Sequence, residues 1–541
     1  MVSEVIDGTR PPRRGIGDST LGRIRTEHER SARAEAVTST GLLGVRAVAE
    51  VGGAHRTYEA GESRWREGAL VLGVLLKKER VRRLGDLETP EKIRNLQREL
   101  YQKAKNAPEF RFYSLYDKVY RDDILEHAYQ LAEANGGAAG VDGATFENIT
   151  EESGGRAGLL AKLKEELRTK TYRPKPVRRV YIPKPDGGQR PLGIPCLRDR
   201  VAQTAAKLVL EPIFEADFPS NEYGYRPERG AHDAIKLSHS LLRNGYTDVV
   251  DADLSKYFDT IPHRELMRSL GRRVSDGAIL KLIKMWLEAP VEEKEEGPRR
   301  MAGSGGQGIG TPQGGVISPL LANIYMRRFL LAWESWGLPR RLEAHVVNYA
   351  DDFVILCRDK AAEALDVARG IFQRMKLTLN EEKTRLVDAT RGSFDFLGYT
   401  FGPCYAVGSG RVYLGAKPSG KRIQRIVRAV GDFLGRSQRR TPKEAISRVN
   451  SRLLGWANYY SYGTLSRAYG VVDRAVAIKV RAWLCKKYRV EGVGTRRFPD
   501  EVLWGALKLT KLQTLLTARR SHASGEARPR AGCGRSARPV R

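Results

Sequence analysis

Cysteine is scarce in this chain, and the five present are too scattered to act together. Cys196, Cys357, Cys404, Cys485 and Cys533 make no C-x-x-C pair within 541 residues. That argues against a zinc site and a disulfide framework, and it fits a reducing, cytoplasmic setting. Long apolar runs are also missing. No stretch approaches the roughly 18 apolar residues a membrane span requires, so no membrane partner is expected. The N-terminus lacks a signal-peptide core, and Glu4, Asp7 and Asp18 make it too acidic for a transit peptide. Negative charge is the remaining shortage: 64 Asp and Glu face 94 Lys and Arg, a net charge of +30. A small neutral substrate has no use for that field, whereas a phosphate backbone does. The blander alternative is a ribosome-like structural binder.

What is present suffices for several cores. Apolar residues make up 41% of the chain, and its length implies three or four domains, since single cores rarely grow past about 250–300 residues. Residues 1–85 are rich in Arg, Gly, Ala and Glu with poor periodicity, and read as a weakly structured extension. Order begins at Thr89-Pro90-Glu91, a helix start with Pro at the first helical position. A second helix is expected from Asp122 to Asn135, stopped by Gly136-Gly137. Residues 86–176 thus form a helical part. From 177 to 195 the pattern turns to short β-type runs, with Asp186-Gly187-Gly188 as a hairpin turn. A helix over about 199–216 and strands at 248–254 and 345–357 complete an α+β core over 177–410. Residues 411–512 read as helical and basic, with a capping box at Thr441-Pro442-Lys443-Glu444. The tail 513–541 carries seven Arg against one Glu.

The chemistry concentrates on acidic residues at strand ends. Tyr349-Ala350-Asp351-Asp352 is flanked by Val346, Val347, Phe353, Val354 and Ile355, which puts both carboxylates at the bend of a tight hairpin. Adjacent carboxylates among apolar strands repel each other and resist desolvation, and a bound dication removes both problems. An ordinary surface turn is the competing reading. Asp253 ends another β-run, Val249-Val250-Asp251-Ala252. Three carboxylates from neighbouring strands suit hard cations such as Mg²⁺, two of which can sit about 3.5–4 Å apart and activate a hydroxyl while stabilising a leaving pyrophosphate.

Three ordered motifs carry a resemblance: Asp253-Leu254-Ser255-Lys256-Tyr257-Phe258-Asp259, Thr311-Pro312-Gln313-Gly314-Gly315 with Ser318-Pro319, and Tyr349-Ala350-Asp351-Asp352. They look like motifs A, B and C of reverse transcriptases. Residues 115–510 resemble the bacterial group II intron-encoded reverse transcriptases, or maturases, with further matches at Tyr181–Gly187, Gly224-Tyr225-Arg226-Pro227, Asn380-Glu381-Glu382-Lys383-Thr384, Phe394–Tyr399 and Gly455–Tyr460.

The resemblance implies a right-hand polymerase of fingers, palm and thumb, the thumb continuing into maturase domain X. It implies that Asp253, Asp351, Asp352 and the carbonyl of Leu254 hold two Mg²⁺ ions. Lys184 and Arg190 would grip the incoming dNTP, Phe258 would exclude a 2′-hydroxyl, and Gln313 and Gly314 would lie beneath the nucleotide. Lys383 would protonate the pyrophosphate. Phe396, Leu397 and Gly398 would hold the primer end, and Trp456, Tyr459 and Tyr460 would stack on RNA bases, the competing reading, strongest for Trp456, being that these aromatics fill the thumb's core. The partners implied are the intron RNA, a target DNA and its primer; the activity is RNA-directed DNA synthesis and assisted splicing. A repurposed, defence-type reverse transcriptase and a splicing-only maturase are the alternatives.

Two departures stand out. Nothing after Leu512 offers the metal-ligand spacing of an endonuclease domain, so none is expected, and the basic tail reads as a DNA-binding remnant. The extension before Thr89 has no counterpart in the family pattern.

Overall fold

The computed structural model describes residues 47–49, 56–58, 87–149, 154–183, 188–293, 300–302, 308–406 and 408–517. Most of the N-terminal extension, Lys184 with the Asp186-Gly187 turn, and the tail beyond 517 lie outside the described residues. No described helix is long and apolar enough to cross a membrane.

The elements that matter begin with helices α1 (Glu91–Asn106) and α2 (Asp122–Asn135), then strands β1 (Val177–Pro183) and β2 (Gln189–Ile194). Next come α3 (Leu197–Glu215), α4 (Ala231–Arg243), β3 (Asp248–Asp253), β4 (Val291–Glu293), β5 (Arg300–Ala302) and α5 (Ser318–Ser335). Strands β6 (Ala344–Tyr349), β7 (Asp352–Cys357), β8 (Arg385–Asp388), β9 (Phe394–Phe396), β10 (Tyr399–Tyr405) and β11 (Val412–Pro418) follow. The chain closes with α6 (Gly420–Gly435), α7 (Pro442–Tyr459) and α8 (Ser466–Tyr488).

These elements fall into two compact units. One comprises the described residues up to Pro219 and those within Lys256–Trp336 and Ile371–Leu377. Its centre is α3, which packs against α1 and α2 and is buried along most of its length. A helix so enclosed needs its polar groups satisfied. Asp199 in its first turn is 1% exposed, and accepts from the Tyr172 hydroxyl at 2.6 Å and the Lys175 N–H at 3.0 Å. Burial raises its pKa, opposed by those two hydrogen bonds. The helix starts and stops follow the sequence closely, with one shift. Pro90 sits just before α1, its carbonyl accepting from Ile93 and Arg94 at 3.0 and 2.9 Å, rather than at the first helical position. The hairpin β1–β2 pairs antiparallel and extends through β4 to β5 in a four-stranded sheet.

The other unit comprises the described residues within Ser220–Ser255, Gly337–Gly370 and Thr378–Arg541. Its main sheet has the order β8-β3-β7-β6, antiparallel throughout. Five of the six residues of β7 are buried, as an apolar run covered on both faces requires. A second sheet, β9-β10-β11, packs its Phe394 and Phe401 rings in a stack at 5.2 Å. One apolar core runs from Val249, Val347 and Val354 through Phe401 to Trp456 and Tyr469. The capping box forms at α7: Thr441 Oγ1 accepts from the Glu444 N–H, and Glu444 Oε2 accepts from the Thr441 N–H.

Candidate active site

The register of β3 on β7 places Asp253 directly opposite Asp352. Paired residues share a face, so two carboxylates confront each other where like charges are destabilising. Across the β6–β7 hairpin, Tyr349 pairs with Asp352, leaving Ala350 and Asp351 as a two-residue turn. The chain after Leu377 then runs beside the end of β3. Ser255 N–H donates to Thr378 O at 2.9 Å, Asn380 N–H donates to Asp253 O at 2.8 Å, and Leu254 bridges to Leu379. This brings the ammonium of Lys383 to 2.8 Å from Asp253 Oδ2. One rung below, Arg385 pairs with Asp251 at 2.6 Å. Burial pushes the Asp251 carboxyl up, and Arg385 pulls it back.

The donor set fits a hard dication. Only carboxylate and carbonyl oxygens are offered, with no His or Cys, and Asp253 and Asp351 are partly exposed at one end of one sheet. The three carboxylates do not close into a cage here: among the described residues no three Asp, Glu, His or Cys side chains draw together closely enough to hold a metal. A carboxylate facing another carboxylate is drawn to the nearest cation, and for Asp253 that is Lys383.

The remaining nucleotide-site candidates belong to the first unit. Thr311 N–H donates to Phe258 O at 2.7 Å, and Gln313 Nε2 donates to Asp259 Oδ2 at 3.0 Å. Val316 N–H donates to Gln203 Oε1 at 2.9 Å, which ties the start of α5 to α3. Gly314, at φ +113°, lies so close to β2 that a Cβ there would meet Gly193 O at 2.5 Å. Only glycine combines that φ with that approach. Phe258 is half-buried, its ring edge-on to Tyr257 at 5.7 Å. Arg190 is exposed on β2 opposite Ile182. The structure thus gathers Phe258, Gln313 and Gly314 in one unit and Asp253, Asp351, Asp352 and Lys383 in the other; Lys184 lies outside the described residues.

Leu397 and Gly398 form the two-residue turn between β9 and β10, both at positive φ, +50° and +80°. A leucine there is strained, and the turn is held from outside. Tyr459 OH donates to Leu397 O at 2.8 Å, and Ser419 N–H donates to Gly398 O at 3.0 Å. The maturase-like aromatics had two readings, base stacking or core filling, and the structure bears on the choice. Trp456 and Tyr460 are 6% and 5% exposed and pack on Tyr469 and Tyr399, while Tyr459 is spent on the Leu397 turn. A ring enclosed on both faces cannot stack on a base.

Four residues escaped the sequence reading. Asp259 stood in a quoted motif without a role, and Gln203 had no local signal. His232 and His239, seven residues apart on one face of α4, accept or donate across to the C-terminal chain. His232 Nε2 lies 2.6 Å from Tyr459 O; His239 Nε2 lies 3.2 Å from Leu414 O and its Nδ1 lies 2.8 Å from Tyr462 OH. Helical spacing was the only hint, and it fits any buried stripe.

Residues 182–401 match the family model described as reverse transcriptase (RNA-dependent DNA polymerase), and residues 423–498 match that of the group II intron maturase-specific domain. The chain is similar to Protein YkfC of Escherichia coli (strain K12), 35% identical over 346 residues, covering 57% of this chain and 87% of YkfC. It is 35% identical over 218 residues to Group II intron-encoded protein LtrA of Lactococcus lactis subsp. cremoris, covering 40% of this chain and 34% of LtrA. It is 28% identical over 328 residues to Putative COX1/OXI3 intron 1 protein of Saccharomyces cerevisiae, covering 51% of this chain and 38% of that protein.

Proposed function

The chain belongs to the group II intron-encoded reverse transcriptases with a maturase domain, and from that premise we propose that it copies RNA into DNA at the Asp253/Asp352 end of its main sheet. The same protein binds its intron RNA and assists splicing; during mobility it extends a primer on target DNA from dNTPs. The layout is a right hand, with fingers and palm over 177–410, thumb and domain X over 411–512, and the basic tail touching DNA.

Asp253, Asp351, Asp352 and the Leu254 carbonyl hold two Mg²⁺ ions, which when bound lower the pKa of the primer 3′-hydroxyl and stabilise the leaving pyrophosphate. Around them the chain's own groups orient and move protons. Lys383, on the segment stitched to β3, protonates the pyrophosphate as a general acid; its 2.8 Å contact with Asp253 supports that reach. Phe258 excludes a 2′-hydroxyl. Gln313, oriented by Asp259, and Gly314 support the nucleotide, while Lys184 as a point charge and Arg190 as a bidentate fork take its phosphates.

The single observation that carries this reading is the register: Asp253 against Asp352, with Asp351 in the adjoining turn. The test is primer extension in Mg²⁺ by Asp351→Ala beside the unaltered protein. Extension is expected to vanish with RNA affinity kept within a few-fold, and clear residual synthesis would sink the assignment. A match to the maturase-specific domain over 423–498 favours the intron reading over a repurposed polymerase.

A further inference from the structure

The turn bearing Asp351 is held in place by residues that take no part in the three sequence motifs. Ala350 has φ +59°, the left-handed region, which costs a residue with a Cβ on the order of 1 kcal/mol. Something must make up that cost. Asn348, 0% exposed, donates Nδ2 to Ala350 O at 3.0 Å. Its own backbone is pinned from the other side. The Asn348 N–H donates to Asn221 O at 3.0 Å, and its carbonyl accepts from the Tyr223 N–H at 3.0 Å. Residues 221–223 therefore run parallel to β6 as a strap, bridged at Glu222. Asn221 Nδ2 adds a bond to Val346 O at 3.1 Å.

The strap ends against the turn itself. A Cβ on Gly224 would lie 2.3 Å from Ala350 N and 3.0 Å from its Cα, contacts with backbone that nothing flexible can relieve. Two arginines close the strap on itself, Arg226 Nη1 donating to Glu222 O and Arg229 Nη1 to Ser220 O, both at 2.8 Å. An asparagine enclosed this completely costs desolvation that an apolar residue would not, which argues for a purpose beyond filling space.

We propose that Gly224 and Asn348 are positioning residues for the carboxylate turn, holding Ala350 left-handed and so fixing the direction in which Asp351 and Asp352 project. In a turn of two residues, any relaxation of Ala350 must rotate the Cα–Cβ bond of Asp351. The inference rests on the reading that these carboxylates carry the chemistry.

The experiment uses the full chain with Gly224→Ala, Asn348→Ala and Asp351→Ala. Each is assayed by single-nucleotide extension across a Mg²⁺ titration, below its own melting temperature, with RNA affinity measured alongside. Gly224→Ala and Asn348→Ala should lower kcat by about 10- to 100-fold, the scale of a displacement of about 1 Å, and raise the half-activating Mg²⁺ several-fold. Their KM for dNTP and their RNA affinity should stay within about threefold, since neither is set by the turn. If both variants keep the ordinary kcat and Mg²⁺ midpoint while Asp351→Ala is dead, the positioning role is overturned and the site stands. Rates that fall only with the folded fraction, at an unchanged midpoint, overturn it equally. An active Asp351→Ala overturns the underlying site instead. Should Gly224→Ala fail to fold, Asn348→Ala decides alone, because it leaves a small cavity and no clash.

Discussion

Phe258 sits half-buried against Tyr257, with its carbonyl fixed by Thr311. If its ring meets the sugar, Phe258→Ala should raise ribonucleotide incorporation by one to two decades, roughly 1.4–2.7 kcal/mol of lost discrimination. Incorporation of dNTPs should change far less. Were the ring only a core residue, truncation would cost about 3–5 kcal/mol of stability and lower both rates alike. Extension with dATP and ATP, paired with a melting curve, separates these outcomes. At this scale the sequence singled out the carboxylates as candidates and gave no sign of the residues packed around their turn. Asp253, Asp351 and Asp352 were legible because charged side chains at the ends of Val-rich strands have few purely structural explanations. Asn348 was not, because a buried asparagine in a strand leaves no periodic trace and its partner, a backbone carbonyl, leaves none either. Trp456 and Tyr460 stayed ambiguous for the opposite reason: aromatic residues on a basic helix look the same whether they face RNA or the core.

Elements were read more faithfully than side chains wherever their ends carry chemistry. The second helix runs from Asp122 to Asn135 as expected, stopping at a glycine in the left-handed region, and the capping box at Thr441 forms with both of its bonds. What the sequence could not supply was the pairing between distant segments, such as α4 with the C-terminal chain. That contact has its own pH dependence. Leu414 O can only accept, so His239 donates from Nε2, and a neutral ring then accepts the Tyr462 hydroxyl at Nδ1. Burial lowers the His239 pKa, nearby Arg243 lowers it further, and the Leu414 bond opposes them. A depressed histidine stabilises the fold above its unfolded pKa, near 6.5, and that contribution fades as pH falls through the lower folded value. Melting temperature should therefore drop between about pH 7 and pH 5 more in the unaltered protein than in His239→Gln. Parallel curves for the two would show that the ring titrates without consequence for α4.

For the whole molecule, the charge of +30 makes binding to RNA a matter of displaced counterions. Each phosphate neutralised contributes about −0.9 or −0.7 to the slope of log affinity against log salt, and a slope shallower than about −3 would mean that most basic residues touch no RNA. Deleting 518–541 should weaken DNA binding more than RNA binding; equal losses would refute a DNA-directed tail. The division of the chain has a further consequence, in time. Strand β3 lies between β7 and β8 in the sheet, yet both are encoded well after it. On a ribosome adding about 5–20 residues per second, Asp253 waits on the order of 5–20 seconds for Asp352 to be made. Val249 and Val250, fully buried at the end, are uncovered in that interval. The core that finally covers Val249 reaches Trp456 and Tyr469, so on a nascent chain that face of the strand bearing Asp253 stays unfinished until helices α7 and α8 have also left the ribosome.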